Sequence, residues 1–258
     1  MRNNLREAIR QEVKDEVRQE VRDEVRHGMT QPDGHRDPEA DAVFRVVLRP
    51  IASSLPLGFF AFTVGTMLLT ALELRWVPVA DSGQLAVLVL AFVVPLEALS
   101  GLFAFLARDS GAATGLTTLS AAWAATAISL LHWPPGALSP SLAVFLLTLT
   151  MLMLVMAAAS VTGKPLFGLL LLIGACRFAL TGVYQATGNA PVEQVAGWLG
   201  VPLGAFALYG GLALLLEEGT QRMVLPIGRR GRSRTSLEGS FAHQVQQAEL
   251  EPGVRRQL

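Results

Sequence analysis

The sequence predicts an all-α polytopic membrane protein with six transmembrane helices. Of its 258 residues, 51% are hydrophobic and only 16% are charged, and nearly all of the charge lies near the two ends. Between the ends, apolar stretches recur at a length of about 20 residues, which a helix needs to cross the hydrocarbon of a bilayer. These stretches are 51–72, 84–107, 111–132, 141–160, 166–187 and 194–217.

The distribution of charge divides the chain into three parts and predicts its orientation. We expect a charged cytoplasmic helix and linker over residues 1–43, a six-helix membrane domain over 44–228, and a basic polar cytoplasmic tail over 229–258. With the N-terminus inside, the outer loops hold only Arg75, and the other basic residues next to the spans lie on the inner side. This asymmetry follows the positive-inside rule, so both termini are predicted to be cytoplasmic.

The N-terminal segment repeats a four-residue unit over residues 11–26. An apolar residue every fourth position drifts around a helix of about 3.6 residues per turn, so a straight partner helix could not follow the stripe. We favour a solvated charged helix here, and an oligomerisation or partner-binding helix is the alternative. Residues 27–43 are rich in Pro, Gly and Asp, which is typical of a linker.

The first and third spans contain small or hydroxyl side chains. Gly58, Ala61 and Gly65 recur at spacings of three and four, which allows another helix to approach closely. The third span is rich in Thr and Ser, which either bond to their own helix or line a narrow polar path. From these two spans, Thr66 and Thr117 are candidate path residues.

The second and fifth spans each contain one interior charge, Glu97 and Arg177, and both lie near the middle of the bilayer. A lone charge at that depth costs about 2.5–3.5 kcal/mol on insertion scales. Opposite signs at equal depth suggest a pair that fixes helix packing, although a protonated Glu97 is also compatible. The functional alternative is that Arg177 attracts an anion while Glu97 gates it or carries a proton. Equal depth alone does not show that the two side chains touch.

Residues suited to catalysis or metal binding are scarce in the spans. They hold no Asp, His132 lies at an interface, and no HExxH sequence or nucleophile elbow occurs. The single cysteine, Cys176, supplies neither a disulfide nor a metal cluster. We therefore predict that the protein is not an enzyme, and we expect no cofactor, no metal and no nucleic-acid partner.

Short motifs in the first and last spans carry a family resemblance. The clearest are Ala196-Gly197-Trp198-Leu199-Gly200 and Val224-Leu225-Pro226-Ile227-Gly228, and a weaker one is Ser53-Ser54-Leu55-Pro56-Leu57-Gly58. Over about residues 50–228 the chain resembles the acetate uptake transporter family, the YaaH-like acetate/succinate permeases. Phe62 stands where that family has a pore-narrowing phenylalanine, and Glu97 stands where it usually has glutamine.

The resemblance implies a six-helix bundle, assembled as a homo-oligomer (a hexamer), with a path for a small carboxylate anion through each protomer. The chain departs from the family pattern at further places as well. The constricting tyrosine of the third helix falls at Ala122, with Trp123 next to it, and Arg177 is an added charge.

We therefore predict a multi-pass protein of the bacterial inner membrane that acts as a permease or channel for small monocarboxylates such as acetate, with proton coupling left open. Phe62 and Trp123 would narrow the path, Arg177 would supply positive potential, and Glu97 would pair with Arg177 or relay a proton. The predicted path residues are Phe62, Thr66, Glu97, Trp123, Thr117 and Arg177. The alternative is a non-transporting membrane scaffold whose N-terminal charged helix assembles partners.

Overall fold

A computed structural model describes residues 52–107, 109–161, 164–220 and 224–228. The predicted N-terminal helix and linker and the C-terminal tail lie outside the described residues. Within them, a 3-10 turn over Val79–Asp81 precedes α2, and a π-helical turn over Val89–Val93 joins α2 to α3 in one continuous span. The helices are α1 (Leu55–Glu73), α2 (Ser82–Leu88), α3 (Val94–Leu106), α4 (Ser110–His132), α5 (Pro140–Ser160), α6 (Pro165–Thr187) and α7 (Ala190–Thr220).

The described residues contain six helical spans that are long and apolar enough to cross a membrane, which confirms the predicted all-α fold. Local signals in the sequence set their ends. Proline occupies the first turn of α1, α5 and α6, where a missing backbone N–H costs little. The side chains of Asp109 and Ser139 cap α4 and α5 by accepting from backbone N–H groups. Gly188, with φ of 70°, ends α6 in the left-handed conformation.

The π-helical turn lies directly before Pro95 in the second span. Proline has no backbone N–H, and in a regular helix its ring would clash with the carbonyl of Ala91, four residues earlier. The wider π-helical turn leaves room for the proline ring and does not require its missing N–H. Because a π turn contains one residue more than an α turn, it also sets the register in which Glu97 and Ser100 lie on the buried face of α3.

The helices pack mainly in pairs: α1 against α7, α3 against α4, and α5 against α6, while α6 also contacts α7. Small residues allow these close approaches. A Cβ atom at Gly58 would lie 2.7 Å from a methyl carbon of Leu116 in α4 and 2.8 Å from Ser100 Oγ in α3, so the glycine lets both helices approach α1 closely. The predicted small face of the first span therefore serves helix packing. The central core contains Phe59, Phe62, Trp123, Leu171 and Leu203.

The outer surface of the bundle is strongly apolar. On α5, Val144, Met151 and Val155 are each about 70% exposed, and α3 and α7 have similar outward faces. Exposed apolar area of this extent is unusual for a soluble monomer. It suits a helix bundle surrounded by lipid or by further copies of the chain.

The contact between α3 and α4 is tightest at Gly101, which provides a test of the packing. In Gly101→Ala, the new Cβ atom would lie 2.5 Å from Thr117 Cγ2 and 3.0 Å from its backbone nitrogen. We expect overpacking to lower the free energy of unfolding by about 1–3 kcal/mol, measured as a lower thermal midpoint in detergent. The matched control is Gly83→Ala in α2, where a Cβ atom meets nothing within 4 Å. Equal midpoints for the two variants would contradict this packing.

Candidate functional site: a charged cavity behind an aromatic pair

A cavity of about 90 Å³ lies between α1, α4, α5, α6 and α7. A second cavity of about 70 Å³ adjoins it and shares Leu72, Tyr184 and Glu193 with it. The second cavity reaches the loop residues Arg75 and Trp133. The two together lead from the middle of the bundle to the end that carries Arg75, hereafter the Arg75 end. The walls are mostly apolar, and the space suffices for several water molecules or a small solute.

The aromatic rings of Phe62 and Trp123 meet at the deep part of the cavity. Their ring centroids are 5.9 Å apart in an edge-to-face arrangement, a favourable geometry for aromatic pairs. Gly65 allows Trp123 to approach α1, because a Cβ atom there would lie 3.1 Å from the indole ring. Both predicted narrowing residues therefore line the cavity and touch each other. Ala122, the neighbour of Trp123, also lines it.

Glu97 is fully buried on α3 behind Trp123, and it does not line the cavity. Its Oε1 atom accepts a hydrogen bond of 3.1 Å from Trp123 Nε1. Its Oε2 atom has no hydrogen-bond partner among the described residues. Glu97 thus holds the indole of Trp123 in place. The pairing of Glu97 with Arg177 that equal depth suggested is not formed, because helical depth says nothing about which way each side chain faces.

Arg177 pairs with Glu73, the last residue of α1. Arg177 Nη2 donates to Glu73 Oε2 over 2.7 Å, and Arg177 Nη1 donates to the Thr66 carbonyl oxygen over 3.3 Å. Thr181 Oγ1 donates to Glu73 Oε1 over 3.1 Å. The side chains of Arg177 and Glu73 are 7% and 10% exposed, and both line the cavity. Sequence reasoning missed Glu73 because the predicted first span ended at residue 72.

Gly200 on α7 makes room for this ion pair. A Cβ atom at Gly200 would overlap Thr70 Oγ1 and would lie 3.0 Å from Arg177 Cζ. This glycine belongs to the motif that carried the family resemblance. Its structural consequence here is that the guanidinium group of Arg177 can approach α7 closely at this position.

A second ion pair lies at the Arg75 end of the cavity. Arg75 Nη2 and Glu193 Oε2 are 2.6 Å apart, and Tyr184 interacts with both groups. Arg75 has a φ of 60°, a left-handed conformation that is uncommon for a residue other than glycine. With Arg177 and Glu73, this end of the cavity carries two arginines and two glutamates, so their formal charges cancel.

The two predicted threonines lie in different places. Thr66 is buried and lines the cavity, and its Oγ1 atom has no hydrogen-bond partner among the described residues. Thr117 lies outside both cavities. Its hydroxyl donates to the Ala113 carbonyl over 2.7 Å, and its methyl group packs on Gly101. Thr117 therefore stabilises the contact between α3 and α4 and is corrected from path residue to packing residue.

The comparisons with known proteins identify the family. Residues 34–228 match the GPR1/FUN34/yaaH family. The chain belongs to this family. It is 28% identical over 188 residues to the succinate-acetate/proton symporter SatP of Escherichia coli K12, a match that covers 69% of this chain and 96% of the symporter. The SatP protein of Shigella flexneri matches equally well.

A solved structure of the bacterial acetate channel SatP is also similar. It matches with a TM-score of 0.62 and 27% identity, over 69% of this chain and 99% of that chain. These matches confirm the predicted family and an integral multi-pass membrane protein. The similar proteins are a symporter and a channel, in agreement with the prediction that the chain is not an enzyme.

The bond between Trp123 and Glu97 can be tested by a double-mutant cycle. Trp123→Phe leaves the buried Glu97 carboxyl without its donor, so we expect a loss of about 1–3 kcal/mol in the free energy of unfolding beyond that caused by the smaller ring. In the double variant with Glu97→Leu, that extra loss should be recovered. Strictly additive effects of the two substitutions would show that the bond contributes nothing.

The space at Gly200 gives a second test. Gly200→Ala should displace Arg177 from Glu73. We expect the overpacking to lower the free energy of unfolding by about 1–3 kcal/mol, measured as a lower thermal midpoint. Gly174→Ala is the matched control, because Gly174 lines the same cavity and a Cβ atom there meets nothing within 4 Å. We expect this control to fold normally. Comparable loss in both variants would contradict the tight fit at Gly200.

Proposed function

We propose that the protein is a permease or channel for small monocarboxylates such as acetate. The observation that supports the proposal is the mostly apolar cavity itself, which Arg177 lines together with the touching rings of Phe62 and Trp123. The names of the similar proteins, a succinate-acetate/proton symporter and an acetate channel, support this substrate class.

Arg177 is the proposed contact for the carboxylate. A guanidinium group has five N–H donors in a planar fork that matches a carboxylate, and hydrogen bonds to described residues involve only the Nη1 and Nη2 atoms of Arg177. The methyl group of acetate would lie against the apolar walls. Selectivity would then depend on the width at Phe62 and Trp123 together with this charge.

Glu97 takes a positioning role in this proposal. Its bond to Trp123 fixes the ring that narrows the path. Because Glu97 does not line the cavity, a proton relay through it has less support than the sequence suggested. Proton coupling remains part of the proposal, and it needs another titratable group.

The orientation and the assembly are also proposed. By the positive-inside asymmetry both termini would lie in the cytoplasm, and the cavity would open at its Arg75 end to the outside of the inner membrane. A homo-oligomer, a hexamer as the family resemblance implies, would cover part of the apolar outer surface of α3, α5 and α7. Native mass spectrometry of the purified protein would measure the number of copies.

The direct test is uptake of labelled acetate into proteoliposomes, with and without an inward proton gradient. Because acetic acid crosses lipid unaided, initial rates must be compared with those of empty liposomes. Saturable uptake that requires the protein would support the permease. Rates equal to those of empty liposomes across small monocarboxylates would overturn it.

A paired substitution tests the role of Arg177. Removing Arg177 alone would leave the Glu73 carboxylate buried without a counter-charge, at a cost of about 3–5 kcal/mol. Glu73→Gln with Arg177→Gln removes both charges, so we expect a folded protein whose saturable acetate uptake falls at least about tenfold, the equivalent of 1.4 kcal/mol. The matched control is Asp109→Asn with Lys164→Gln, an ion pair at the opposite end of the bundle and outside the cavity. Equal uptake by both variants would remove Arg177 from the path.

A further inference from the structure

Glu73 is a titratable group that lines the cavity and forms an ion pair with Arg177. From α6, Arg177 and Thr181 bond its carboxylate, and Tyr184 lines the same cavity but interacts with Arg75 and Glu193. From α7, Glu193 is close enough for its charge to interact with that of Glu73, but Glu193 is itself bonded to Arg75. The lining that α4 and α5 contribute is apolar apart from Thr126. Glu73 is thus the carboxylate with which a bound substrate would compete for Arg177.

The cavity has no spare positive charge for an anion. Each arginine at the Arg75 end already neutralises one glutamate. A carboxylate that entered from water would add a negative charge to a mostly apolar space, where an uncompensated charge is costly. Arg177 carries a single charge, so it can neutralise either Glu73 or the substrate, but not both.

We propose that Glu73 and the substrate carboxylate exchange places on Arg177, and that Glu73 takes up one proton as it leaves. This inference rests on the proposed permease function. The proton comes from water at the Arg75 end and binds a carboxylate oxygen of Glu73. The Arg177–Glu73 ion pair breaks, an Arg177–substrate ion pair forms, and the total charge of the cavity is unchanged. Release of the substrate reverses both steps, so one carboxylate and one proton move together.

The surroundings of Glu73 suit both of its states. As a carboxylate it accepts from Arg177 and from Thr181, and as a neutral acid it can still accept from Thr181 without Arg177. Its side chain is 10% exposed and lines the cavity, so water and substrate reach it by the same route. Glu97, by contrast, is enclosed behind Trp123 and has no such access.

Glu73→Gln tests the exchange, because glutamine can still accept a hydrogen bond but cannot hold a proton. In the wild type, initial acetate uptake should rise as the external pH falls, by up to about tenfold per pH unit, and an acetate jump should produce no net current. In Glu73→Gln, uptake should become nearly independent of the proton gradient and should carry inward negative charge. The matched control, Asp109→Asn, removes a carboxylate outside the cavity and should behave like the wild type.

The outcomes separate this inference from the proposed function. If Glu73→Gln still shows proton-stimulated uptake without current, the exchange is overturned while the permease stands. If the wild type shows no uptake above empty liposomes, the permease is overturned and the exchange with it. If acetate uptake carries current and is independent of the proton gradient only in Glu73→Gln, both the exchange and the permease are supported.

A second variant covers the case in which Glu73→Gln does not fold. Thr181→Val keeps every charge but removes the hydrogen bond that Thr181 donates to the carboxylate of Glu73. Because this bond helps to hold Glu73 in its pair with Arg177, its loss should shift the pH dependence of saturable acetate uptake relative to the wild type. A pH profile identical to that of the wild type would overturn the exchange.

Discussion

The buried ion pair between Arg177 and Glu73 constrains much of the surrounding structure. A charge within a membrane-spanning helix is costly, and a counter-charge from the protein lowers that cost for the guanidinium. Arg177 reaches the end of α1 for this counter-charge, and α7 must carry a glycine at position 200 for the guanidinium to fit. The same pair makes the cavity polar at one end while leaving its formal charge balanced. A buried ion pair of this kind contributes little to the free energy of unfolding by itself. Its position in the wall of the cavity is therefore the more informative property.

The aromatic end of the cavity depends on a separate chain of contacts. Pro95 and the π-helical turn before it set the register of α3, and that register places Glu97 behind Trp123. Gly65 then lets the indole ring reach Phe62. Three helices thus hold this aromatic pair in place. In the proposed function, the pair would limit the size of the solute and the ion pair would select by charge.

Membership in the GPR1/FUN34/yaaH family explains the six-span bundle and the small-residue motifs. The interior charges Glu97 and Arg177 were expected, from the resemblance, to be departures from the family pattern. In the structure these two charges have different partners and do not meet. Arg177 lies beside Glu73, so the cavity carries a buried ion pair.

The sequence by itself determined the spans, because apolar length is a local property that the bilayer demands of every helix. Arg177 was conspicuous as a charge within a span, whereas Phe62 was singled out by the family resemblance; both line the cavity, as do Trp123 and Thr66. The tertiary structure decided which of these residues meet. Helical depth can be counted from a sequence, but the rotation of each helix about its axis follows from packing. That is why Glu97 was paired by depth with Arg177 but bonds Trp123, why Thr117 faces α3, and why Glu73, one residue beyond a predicted span, became visible only as the partner of Arg177.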